Sequence, residues 1–318
     1  MRASLVALGS SLAATCARPQ DSDNPLPLVI WHGLGDAASS EGLAEISQLA
    51  DAVAPGIFVH VVNPTAGGGD DRTATLFGNV SAQVEAVCAQ LARHPVLSTA
   101  PAIDAVGFSQ GGQFLRGYVE RCNSPRVRNL ITFGSQHGGI TRFRECGPAD
   151  YLCRAAMALL RFNVWSSFVQ SRLVPAQYYR PADAAELQDY LDGSAYLADV
   201  NNERQLKNEA YGKNLASLDH FVMYLFENDT VSIPKESSWF GEVSGDGRYT
   251  PLRERAMYKE DWLGLRALDK KGGLKFRSVA GEHMHIPKQV LNDTLSEFLG
   301  VYKGKRTGGL AGFESGEL

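Results

Sequence analysis

The stretch AIDAVGFSQGGQF, residues 102–114, constrains this chain more than any other. A short apolar run ends in Gly107-Phe108-Ser109-Gln110-Gly111, and a helical pattern begins at once. A serine held between glycines at a strand-to-helix junction has two readings. It can be the N-cap of the next helix, or a nucleophile carried on a sharp turn. The five-residue pattern is too short to decide between them alone.

The surrounding pattern narrows the choice. PLVIWHG (27–33) and GIFVHVV (56–62) read as buried strands, with a helix around Gly42 to Val53 between them. Residues 67–73 read as a loop. Residues 76–93 then place Val80, Val84, Val87 and Leu91 at helical spacing. The serine segment follows, then a helix from about Gly111 to Arg121 and a strand at VRNLITFGS (127–135). Strand and helix alternating in this way predict a mostly parallel sheet with helices on both faces. From about 137 to 219 the chain reads as helical and irregular, with aromatic clusters. Strand character resumes at HFVMYLF (220–226) and LKFRSVA (274–280), before a last helix over 287–299. The fold class is therefore α/β in one domain, with a helical insertion late in the sheet. A Gly-rich tail from about 303 to 318 closes the chain.

A nucleophilic serine needs a base to take its proton and an acid to orient that base. In sheets of this kind they follow the serine in the order acid, then histidine, each in a loop after a strand. Asp229 lies just past the 220–226 strand, and His283 in the loop after 274–280. Glu227 and His285 are the rival acid and base. Asp229 is preferred because it sits in a turn-like Asn-Asp, and His283 because it directly follows Gly281-Glu282. The developing oxyanion needs backbone donors. The N–H of Gln110, next after the serine, is one; Leu34 in the loop WHGLGD (31–36) is the other, where Gly33 and Gly35 allow close approach.

Net charge is −4, and Lys and Arg are scattered, so no nucleic-acid face is expected. His32, His60, His94, His137 and His220 show no metal-site spacing, and no dinucleotide or Walker fingerprint is present; no cofactor is expected. The first 17 residues carry a basic Arg2, an apolar stretch to Ala14 and small residues up to Ala17, the pattern of a cleaved secretory signal peptide. No later segment reads as transmembrane. With Cys16 removed, Cys88, Cys122, Cys146 and Cys153 remain, an even number that suggests two disulfides in an oxidising lumen. Asn79, Asn228 and Asn292 head N-x-S/T sequons.

From about Pro27 to Gly300 the sequence resembles the palmitoyl-protein thioesterase 1 family, lysosomal enzymes that remove fatty acyl groups from protein cysteines. The resemblance rests on PLVIWHGLGD, GFSQGGQFLRGY, GSQHGG, FVMYLFENDT, SSWFG, EDWLGL and GEHMHI. It implies an α/β-hydrolase fold, a triad of Ser109, Asp229 and His283, and oxyanion donors at Leu34 and Gln110. It implies disulfides Cys88–Cys122 and Cys146–Cys153 and a glycan on Asn228. It also implies that the insertion, with its aromatics at 162–179, helps form an acyl groove. Burying about ten methylenes at about 0.8 kcal/mol each would anchor a long chain by about 8 kcal/mol. Animal members carry an adjacent cysteine pair just after HGLGD; Ala37 and Ala38 stand here, which leaves the rigidity of the oxyanion loop open. The expected partners are S-acylated proteins or peptides and long-chain acyl thioesters, in the lysosomal or vacuolar lumen or outside the cell. An oxygen-ester hydrolase or lipase is the alternative enzyme, since triad chemistry does not distinguish the two leaving atoms. A non-catalytic acyl-binding protein is a further alternative.

Overall fold

The computed structural model describes residues 24–65, 70–143, 145–160 and 162–301. The signal-peptide segment and the C-terminal tail lie outside the described residues. The main sheet has six strands in the order β2-β1-β3-β4-β5-β8, every pair parallel. They are β1 (Leu28–Trp31), β2 (Val59–Val61), β3 (Ile103–Phe108), β4 (Val127–Phe133), β5 (His220–Phe226) and, after a two-residue antiparallel pair of β6 (Glu242–Val243) and β7 (Tyr249–Thr250), β8 (Leu274–Val279). The parallel α/β expectation holds because β1, β3, β4 and most of β5 are near-continuous apolar runs, buried on both faces.

Side-chain alternation splits the core in two. Leu28, Ile30, Val106, Ile131 and Val222 face helices Glu41–Val53 and Lys288–Phe298. Val29, Trp31, Ala105, Leu130 and Phe221 face helices Val80–Arg93 and Gln110–Arg121 on the other side. Val80, Val84, Val87 and Leu91 are all buried, as their spacing predicts. Cys88 on the first of these helices and Cys122, which ends the second, are joined in a disulfide with a Cα–Cα distance of 6.0 Å.

Between β4 and β5 the chain leaves the sheet and returns through short helices, among them Tyr151–Leu159, Leu187–Gly193 and Glu209–Ala216. The second disulfide, Cys146–Cys153, closes the entry to this region. Residues 235–270, between β5 and β8, form a further excursion of short helical turns and the β6–β7 pair. That excursion has no long periodic run, so its turns carry no signal in the sequence. All strands being parallel, the loops after β1, β3, β5 and β8 gather at one edge, where sheets of this type bind ligands.

Candidate active site

The turn after β3 places Ser109 first. Its backbone sits at φ 51°, ψ −126°, a conformation that L residues rarely adopt. Close packing accounts for the flanking glycines. A Cβ on Gly107 would fall 2.2 Å from Gly112 Cα, and one on Gly111 would fall 2.3 Å from the carbonyl oxygens of Trp31 and His32. Ser109 occupies the N-cap position of helix Gln110–Arg121 but makes no side-chain capping bond. Its hydroxyl points instead to the loop after β8, where Ser109 Oγ donates to His283 Nε2 at 2.9 Å. His283 Nδ1 donates to Asp229 Oδ2 at 2.6 Å, in the loop after β5.

The acid is fully buried and its second oxygen is occupied. Asp229 Oδ1 accepts the backbone N–H groups of Val231 and Ser232, both at 2.8 Å. These bonds hold the carboxylate and, through it, the imidazole plane. The rivals lie elsewhere. Glu227 is exposed and accepts from Ser278 Oγ at 2.8 Å, and His285 is exposed. A serine, an imidazole and a carboxylate in this order can pass a proton from the hydroxyl to the ring while the carboxylate stabilises the cation.

The loop after β1 closes against the serine: a Cβ on Gly33 would lie 3.1 Å from Ser109 Cβ. Leu34 borders Ser109 in two adjoining cavities. The loop is held by residues 71–75, which begin inside the stretch 67–73 that reads as a loop in sequence. Gly35 N–H donates to Thr75 Oγ1 at 2.8 Å, and Ala38 N–H donates to Asp71 Oδ2 at 2.8 Å. Buried His32 brings Nε2 to 3.3 Å from the same carboxylate oxygen, too oblique for a hydrogen bond. The Gln110 side chain donates to the Thr75 carbonyl at 3.2 Å and accepts from the Tyr178 hydroxyl at 3.2 Å. The loop after β1 thus has its own supports where Ala37 and Ala38 stand. The only hint in sequence is Asp70-Asp71-Arg72-Thr73, a helix-start pattern in which Asp70 accepts from Thr73 N–H.

The remaining histidines have structural partners. His137 is buried against Phe240, its Nε2 3.0 Å from Thr132 Oγ1, and burial together with Arg116 holds its pKa well below the usual value. His220 Nδ1 pairs with Asn129 Oδ1 at 2.9 Å, and His60 packs on His94. The sequons differ in setting. Asn228 is exposed, Asn79 caps helix Val80–Arg93 through Ala82 N–H, and Asn292 is half-buried in the last helix.

Two cavities meet at Ser109. One is small and apolar, about 40 Å³, beneath the insertion, lined by Leu76, Ile140, Phe143, Met157 and Tyr178 with Cys153 in its wall. The other is an open trough of about 1090 Å³ between the first and last helices, and it includes His283. Of the aromatics at 162–179, Tyr178 lines the small cavity, Trp165 packs on Tyr179 and Tyr190, and Phe162 and Phe168 are exposed.

The sequence profile described as Palmitoyl protein thioesterase matches residues 27–283. This chain belongs to that family. Among its relatives is the protein named Palmitoyl-protein thioesterase 1 of Caenorhabditis elegans, 34% identical over 90% of this chain and 96% of the relative. Palmitoyl-protein thioesterase 3 of Dictyostelium discoideum is 32% identical, over 82% of this chain and 86% of its own. Lysosomal thioesterase PPT2 of Homo sapiens is more distant, 26% identical over 80% of each chain. As a member of the palmitoyl-protein thioesterase family, the protein is an enzyme, a hydrolase acting on thioesters.

Proposed function

We propose that this thioesterase removes long-chain acyl groups from S-acylated cysteines of proteins or peptides through an acyl-Ser109 intermediate. His283 takes the Ser109 proton as Oγ bonds to the thioester carbonyl carbon. The carbon–sulfur bond then breaks, and the proton passes to the departing sulfur. A water molecule, deprotonated by His283, attacks the acyl-serine, releases the fatty acid and restores the hydroxyl. Asp229 orients the ring and stabilises its cationic form. The Leu34 and Gln110 N–H groups receive the oxyanion. The observation that carries this reading is the hydrogen-bonded line Ser109–His283–Asp229 at the mouth of an apolar cavity, in a chain whose relatives bear the thioesterase name.

The acyl chain is assigned to the small cavity under the insertion (about 137–219), whose walls are Leu, Ile, Phe, Met and Tyr side chains. Seating a long chain there requires the insertion side chains to move apart. Residues 18–318 are read as a single domain after a signal peptide of residues 1–17, in the lysosomal or vacuolar lumen or secreted. The two disulfides, a relative named lysosomal, and the lack among the described residues of a helix long and apolar enough to cross a membrane agree with that placement. A glycan is assigned to Asn228, the sequon that the resemblance implies; Asn79 and Asn292 head the other two candidate sequons.

An active-site serine probe on wild-type protein and on Ser109→Ala tests the intermediate. Labelling should be lost in the variant, and Ser109-independent labelling would overturn the assignment. Matched palmitoyl thioester and oxygen-ester substrates test the leaving atom. Faster turnover of the oxygen ester would favour the lipase reading.

A further inference from the structure

The trough between helices Glu41–Val53 and Lys288–Phe298 is far larger than the acyl cavity and has a different chemistry. Its floor is apolar, with Ile46, Leu49 and Ile286 half-buried along it. Its walls are polar: Gln48 projects from the first helix and Asn292 from the last, with Glu45 and Lys288 nearby. A hydrocarbon tail has no use for carboxamides. A peptide does, because each buried N–H and C=O needs a partner.

The position of the base decides which half of the substrate lies here. Ser109 and Leu34 border both cavities, but His283 borders only the trough. The group that hands a proton to the departing sulfur must lie on the leaving group's side of the carbonyl carbon. With the acyl chain under the insertion, the thiol half leaves through the trough.

We propose that the trough is a peptide subsite that receives the segment flanking the acyl-cysteine, an inference that rests on the thioesterase reading above. Its reach follows from helix geometry. Trough residues run from Gly42 to Ala52, and ten residues at about 1.5 Å each give about 15 Å. An extended peptide covers that in about four residues at roughly 3.3–3.6 Å each. Side chains up to about four positions from the acyl-cysteine, apolar ones toward Ile46 and Leu49, set the rate of capture.

Two substrates with the same palmitoyl group test this, one on the cysteine of a seven-residue peptide and one on N-acetylcysteamine. The variants are Gln48→Trp and Ala52→Trp, both at exposed helix positions where added bulk narrows the trough without entering the core. The ratio of kcat/KM for the peptide to kcat/KM for the small thioester should fall about tenfold in each. An unchanged ratio, with wild-type protein active on both substrates, would overturn the subsite alone. Wild-type protein inactive on both would overturn the thioesterase reading and the subsite with it. A fall instead in the palmitoyl-to-butyryl ratio on N-acetylcysteamine would place the acyl chain in the trough and overturn the assignment. Mass spectrometry adds a check independent of folding. Asn292 heads a sequon in the trough wall, and full glycan occupancy there in the active protein would block the groove and overturn the proposal.

Discussion

The backbone N–H of Gly35 donates to Thr75 Oγ1 at 2.8 Å, a contact between residues 40 apart in sequence. It fastens the loop that presents Leu34 to the turn 71–75, and Asp71 adds a second fastening through Ala38 N–H. Preorganised donors stabilise an oxyanion because they need no reorganisation when the charge develops. This hydrogen-bonded support is local and does not depend on a neighbouring disulfide.

Thr75→Val keeps the side-chain shape and removes the acceptor. Leaving the Gly35 N–H without its partner costs about 1–3 kcal/mol of local stability. The expected outcome is a kcat about tenfold lower with KM little changed, measured by steady-state hydrolysis of a palmitoyl thioester. An equal loss in Ala37→Ser, which removes none of these hydrogen bonds, would show that the loop is merely sensitive to substitution.

The Asp229–His283 bond makes a second set of expectations. Asp229→Asn should fold normally and lose several orders of magnitude in kcat, because the ring loses both its orienting acceptor and the charge that stabilises its cation. His283→Ala should abolish turnover, whereas His285→Ala, whose side chain is exposed, should cost far less. Steady-state kinetics with circular dichroism as a folding control ranks the three. Near-normal activity of Asp229→Asn would move the acid to Glu227.

The disulfides separate by loop length. Closing a loop of about 35 residues stabilises by about 3.8 kcal/mol on the chain-entropy model, and one of about 8 residues by about 2.5 kcal/mol. Replacing Cys88 and Cys122 by serine should therefore lower Tm more than replacing Cys146 and Cys153. The second pair should chiefly weaken binding of the acyl chain, because Cys153 lies in the wall of the small cavity. Thermal melts and KM for a long-chain thioester distinguish the two effects.

Two buried carboxyls should gain stability on mild acidification, against buried His137, whose lowered pKa works in the opposite direction. Burial pushes the Glu120 carboxyl up to about 7 although Arg116 Nη1 is 2.7 Å away, and burial pushes Asp104 up to about 6 against Arg128. In the unfolded chain both ionise near pH 4 (about 3.9 for Asp, 4.3 for Glu). Between these limits the folded protein holds more protons than the unfolded chain, so this contribution is present at low pH and is lost as pH rises through about 6 to 7. The Tm advantage of wild type over Glu120→Gln should therefore be larger near pH 5 than near pH 8, measured by differential scanning fluorimetry; an advantage that does not grow on acidification would overturn it.

Much of the architecture was legible because its physical causes are local. Apolar runs bounded by glycine mark buried parallel strands, and Val80, Val84, Val87 and Leu91 mark a helix by spacing alone. Gly107-Phe108-Ser109-Gln110-Gly111 marks a turn so tight that only glycine fits two residues to either side of the serine. Chain order nominated Asp229 and His283, since each follows a strand that must end at the same edge of a parallel sheet. What only the tertiary structure decided depends on contacts between distant segments. That the Asp229 carboxylate turns inward to accept from the Val231 and Ser232 N–H groups, while Glu227 stays exposed, is a contact no sequence pattern records. Thr75 and Asp71 carry no periodicity that ties them to the loop they hold. The trough exists only because the first and last helices, more than 200 residues apart, pack on one face of the sheet and leave a gap between them. Strands and helices follow from side-chain period, but a cleft is the space left between elements. No stretch of sequence records that space until the chain has closed around it.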